Sequence, residues 1–131
     1  MDLLNKYIEE LSQDTHLDEF NLKDAQLKLP GIKHKWVGRL IRSKIDFNNL
    51  KGTRYALINT LTDKLIDQSP VTVSRPTAQK KVLSHESVTQ LDMKIQELDS
   101  VILFLEKIER VLNSMTFDIK NLTEIMKLEI Q

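Results

Sequence analysis

Seven basic residues fall between residues 31 and 55, where Asp46 is the one acidic residue among them. On a helix Lys35, Arg39 and Arg42 stand at i, i+4 and i+7 and share one face. Lys33, Lys44 and Lys51 cluster on another, and Arg54 and Tyr55 lie just beyond. Trp36 sits among them. Lysine and arginine interleaved with an occasional aromatic can follow a phosphate backbone by charge while an unpaired base stacks on a ring. The competing reading is that these cations solvate a helix whose acidic partners lie on the terminal helices, with Trp36 a core residue.

No other constellation supports chemistry. His16, His34 and His85 are far apart, none has a second ligand at metal-binding spacing, and His85 beside Glu86 reads as the first turn of a helix. Three glycines cannot build a phosphate-cradling loop, and no Ser, His and Asp set stands out from the surface residues. The absence of cysteine excludes disulfides, thiolate metal sites and a thiol nucleophile. The expectation is a binding protein, not an enzyme, with no metal and no cofactor.

Net charge is zero over 131 residues, but the sign is segregated. By segment the net charge is −4 over residues 1–30, +6 over 31–55, +2 over 56–81 and −4 over 82–131. Such separation gives a local positive potential that attracts polyanions even to a neutral chain. Aromatic content is 5%, glycine and proline are few, and leucine and isoleucine dominate the apolar set, the profile of an all-α protein. The charged amino terminus lacks the apolar run of a signal peptide, and no stretch has the length of a membrane span, so a soluble cytoplasmic protein is expected.

The elements that must position the basic block follow from periodicity. Asp2 caps a short helix to about Gln13 with Leu3, Leu4, Tyr7, Ile8 and Leu11 as its stripe, and Asn21 caps a second that Pro30 stops. Gly31 to about Asp67 is then mostly helix, with a kink or break at Asn48, Asn49 and Gly52. Residues 67–81, with two prolines and several hydroxyl groups, read as a mobile loop reaching to about residue 83. Ser84 or Ser87 caps a second long helix, in which Val88, Leu91, Ile95, Leu98, Ile102 and Leu105 alternate at spacings of 3 and 4.

Past Leu105 that heptad fails, and Val101, Phe104, Ile108, Val111 and Met115 mark a second apolar face. A break at Asn113–Thr116 precedes an amphipathic tail with Phe117, Leu122, Ile125, Met126 and Leu128. One subunit has too few helices to cover both faces. The expected organisation is therefore a helical core over residues 1–115 and an oligomerisation helix over 116–131, its seam formed by Ile108, Val111, Leu112, Met115, Phe117, Leu122, Ile125 and Met126.

Glu9, Glu10, Leu11, Asp14, Leu17 and Asp18 form a string followed at fixed distance by Leu22, Lys35 and Trp36. Val82, Leu83, Ser84 and Asp92 come after the loop, and Phe117, Ile119 and Lys120 near the end. In these strings and their spacing the chain resembles the UvsY-type recombination mediators of T-even-like phages. The resemblance implies a helical protein that assembles as a ring of six or seven subunits in the infected host cell. It further implies binding to single-stranded DNA, to the phage recombinase and to the phage single-strand binding protein.

The family's basic Lys-Ala-Arg-Leu motif, tied to DNA binding, would fall on Asn59, Thr60, Leu61 and Thr62, which carry no charge. The positive charge then lies at Arg54 and Lys64 on either side, or at Lys35, Arg39 and Arg42. Two other readings compete: a coiled-coil scaffold or adaptor without DNA binding, and a duplex-reading repressor. The repressor requires a compact helix-turn-helix, and none is found.

Overall fold

The computed structural model describes residues 2–130, and they form four helices with no strand among them. These are α1 (Asp2–Asp14), α2 (Leu22–Gln68), α3 (Arg75–Val82) and α4 (Glu86–Ile130). Residues 1 and 131, the outer ends of the two expected segments, lie outside the described residues. No helix among these is long and apolar enough to cross a membrane.

The chain divides into two compact units, one running up to Arg42 and from Ser100 onward, the other Ser43–Asp99. In the first, α2 buries Leu22, Ala25, Leu29 and Trp36. From α4 come Val101, Leu105, Ile108, Leu112, Met115 and Ile119, at spacings of 4, 3, 4, 3 and 4. The heptad repeat thus resumes past Leu105 with its phase shifted: Leu105 to Ile108 is a second consecutive step of three, the signature of a three-residue stammer. Full burial of each large apolar side chain contributes about 1.5–3 kcal/mol. In the second unit Ala78 and Val82 of α3, Val88 of α4 and Thr62 of α2 are buried; the Thr62 hydroxyl is satisfied by donating to the Ile58 carbonyl at 2.6 Å.

Several expected boundaries are corrected. Pro30 lies inside α2 instead of ending a helix, because it sits on the exposed face, where water can solvate the carbonyl it leaves unpaired, while Leu29 beside it is buried. Asn48, Asn49 and Gly52 are likewise helical, with no break. Much of the expected mobile loop is α3. Ser74 is its N-cap, accepting from the Thr77 N–H, and Pro76 occupies the first turn, where proline's missing N–H costs nothing. Residues 113–116 do not interrupt α4, since Met115 is a core residue there, and the expected 115/116 boundary falls inside a continuous helix.

Candidate nucleic-acid interface

The basic block lies along α2, and its two ends have different surroundings. At the first end, α1 docks by polar and aromatic contacts and buries no residue of its own. Asp14 accepts from Lys35 Nζ at 2.6 Å and from the Trp36 indole N–H at 2.9 Å. Glu10 pairs with the Arg39 guanidinium through both of its oxygens and lies 3.7 Å from Lys35 Nζ. The hydrogen bond from Arg39 holds the Glu10 carboxyl below its usual range, and the same bond raises the Arg39 guanidinium. Tyr7 meets Trp36 edge to face at a centroid separation of 5.4 Å, and the Arg39 guanidinium lies 4.8 Å from the Tyr7 ring and 4.7 Å from the Trp36 ring.

Trp36 is 2% exposed and is a core residue, not an open stacking platform. Lys35 and Arg39 already have carboxylate partners inside the chain, as the reading with acidic partners on a terminal helix required. Arg42, the third member of that face, is exposed and has no ion pair among the described residues. Lys33 donates to the Thr116 hydroxyl at 3.3 Å.

In the second unit, Lys44 and Lys51 are exposed seven residues apart on α2, and Tyr55 follows one turn later with 72% of its surface open to solvent. Lys51 Nζ lies 5.3 Å from the Phe47 ring centre. Arg54 is bonded to Asp92 of α4, and Arg75 pairs with Asp63 at 2.6 Å. Lys64 is exposed on the last turns of α2 and lines a cleft with Lys81 and His85. Of residues 59–62, where the family's basic motif would fall, Thr62 is fully buried and Thr60 alone is exposed. The positions of the motif's lysine and arginine, Asn59 and Leu61, are half-buried.

The family model for UvsY, described as recombination, repair and ssDNA binding protein, matches residues 10–130. This chain belongs to the UvsY family. Two crystal structures of the bacteriophage T4 recombination mediator protein UvsY share its fold. The lattice type IV form superposes with a TM-score of 0.79 at 16% identity, covering 96% of this chain and 98% of the other. The lattice type II form gives 0.76 at 15% identity, covering 98% of each. No curated protein sequence matches. The string that places Glu10 and Asp14 upstream of Lys35 and Trp36 has a physical basis in this member: with Tyr7 and Arg39, those four residues join α1 to α2.

The proposed oligomer seam is also divided by the structure. Ile108, Leu112 and Met115 are buried within the single chain and present no surface to a neighbour. Phe117 (67% exposed), Ile125 and Val111 are exposed, and Leu122 and Met126 are half-buried. No group of three or more His, Asp or Glu side chains that could hold a metal ion occurs among the described residues.

Proposed function

We propose that this UvsY-family chain is a recombination mediator, binding single-stranded DNA as a ring-like homo-oligomer of six or seven subunits. In this reading it promotes recombinase filament assembly on DNA covered by the single-strand binding protein, in homologous recombination, repair and recombination-dependent replication. It makes and breaks no covalent bond. The observation that carries the reading is the exposed row of Lys44, Lys51 and Tyr55 on α2, in a family described as ssDNA-binding.

An exposed tyrosine one turn from a lysine offers a ring for an unpaired base and a cation for the phosphate beside it, which a duplex with stacked bases cannot use in the same way. Lys64 adds positive charge to the second unit, and Arg42 and Lys33 carry positive charge on the first. Lys35, Arg39 and Arg54 contribute charge from within ion pairs. Val111, Phe117, Leu122, Ile125 and Met126 form the seam between subunits. Each subunit then adds weak phosphate contacts, and a strand crossing several of them gains affinity through effective concentration.

The test is a titration with single-stranded DNA, duplex DNA and protein alone. Single strands should bind more tightly than duplex, and the logarithm of affinity should fall with the logarithm of salt by about 0.7 per phosphate neutralised. A folded oligomer that ignores single strands would leave the scaffold reading in place.

A further inference from the structure

The last turns of α2, the C-terminal turn of α3 and His85, just before α4, line an open cleft of about 300 Å³, at the small end of ligand-sized clefts. Its floor is apolar, formed by Leu61, Leu65 and Val82, and its rim carries Lys64, Lys81 and His85. Neither lysine has an ion pair among the described residues, and both are exposed. The nearby carboxylate of Asp63, one residue before Lys64, is engaged by Arg75.

His85 is held in a defined tautomer. The Ser87 backbone N–H donates to its Nδ1 at 3.1 Å, so in the neutral ring the proton resides on Nε2, which is a donor. The backbone beneath is fixed as well. The Ser84 N–H donates to the Lys81 carbonyl at 3.3 Å, and the His85 N–H to the Val82 carbonyl at 2.9 Å. Lys81 and His85 are thus held at a set spacing on either side of a hydrogen-bonded turn, opposite Lys64.

We propose that this cleft is a nucleotide-binding site for the single strand: Lys64 and Lys81, with the His85 Nε2–H beside them, take two phosphates, and the unstacked base lies against the leucine floor. The chemistry selects this ligand because an apolar cleft beside two ammonium groups and an imidazole N–H donor matches a base joined to a phosphate diester. A base still paired in a duplex cannot enter the cleft. The inference rests on the single-stranded DNA reading above and places a second contact on the same unit as Lys44, Lys51 and Tyr55.

The test compares wild type, Lys64→Ala/Lys81→Ala and Lys64→Arg/Lys81→Arg, each checked for helical content and assembly mass. The probe is a fluorescein-labelled oligothymidylate titrated over a salt series. The alanine pair should lower the slope of log affinity against log salt by about 1.4, two phosphates at 0.7 each. The arginine pair should restore it. In the wild type the His85 ring resonances should shift on adding oligothymidylate. If wild type binds but the alanine pair keeps the wild-type slope and the His85 signals do not move, the cleft assignment is wrong while the DNA reading stands. If wild type does not bind at all, the DNA reading itself fails.

Discussion

Replacing Asp14 tests the joint between α1 and α2 directly, because one carboxylate there serves two donors. Asp14→Ala strips an acceptor from the Trp36 indole, whose ring is buried, and from Lys35 Nζ at 2.6 Å. A buried donor left unsatisfied costs about 1–3 kcal/mol, and a hydrogen bond between charged groups contributes about 1.5–3 kcal/mol. Lys35 retains partial compensation from Glu10 at 3.7 Å. The expected loss for Asp14→Ala is therefore about 2–4 kcal/mol in the free energy of docking α1. Asp14→Asn keeps an oxygen for the indole and gives up only the charge, so about 1 kcal/mol is expected.

The assay has a built-in reporter, since Trp36 is the one tryptophan in the sequence. Its emission should shift to longer wavelength in Asp14→Ala at denaturant concentrations where helical content is still that of wild type. Asp14→Asn should fall between the two. Equal midpoints for Asp14→Ala and wild type, with unchanged emission, would refute the reasoning and place the attachment of α1 elsewhere.

Acid should loosen the same joint. The Glu10 carboxyl is held below its usual range by Arg39, so its contribution is fully present above the unfolded value of about 4.3 and is lost as pH falls through the lower folded value; Trp36 emission should stay constant above pH 5 or so and change only in stronger acid. Lys44→Ala/Lys51→Ala should reduce the salt slope of single-strand binding by about 1.4, and adding Tyr55→Ala should cost a further 1–3 kcal/mol or so of stacking, both read by anisotropy. Phe117→Asp/Ile125→Asp should lower the sedimenting mass with helicity retained, whereas Ile108→Ala should destabilise the first unit by about 2–5 kcal/mol in denaturant melts. Thr62→Lys should unfold the second unit, while Thr60→Lys, on the exposed face, should leave the melting temperature nearly unchanged.

Helix type was legible from leucine and isoleucine spacing, and the basic block from simple counting. What sequence reasoning missed were places where a local signal has two meanings. Proline inside a helix loses a hydrogen bond and crowds the preceding turn, yet α2 continues through Pro30, which is exposed to water, and Pro76 two residues after a serine marks a beginning. The second apolar face of α4 looked like surplus hydrophobicity needing another subunit. Three of its five residues, Val101, Ile108 and Met115, are core of the first unit, while Phe104 is half-buried and Val111 exposed. Periodicity alone does not say which helix fills a face. The partners of Lys35 and Arg39 lie 21 and 29 residues away in α1, a pairing that only the fold brings together.

The joint at α1 also separates two responses to ionic strength. The Asp14 side chain is 17% exposed and its pair with Lys35 is correspondingly shielded from mobile ions, whereas Lys44, Lys51 and Tyr55 face bulk solvent. Added salt reaches the outer row well before it reaches the joint. On the proposed reading, a strand held by that row is released over a range of salt in which α1 stays seated, so that letting go requires no unfolding.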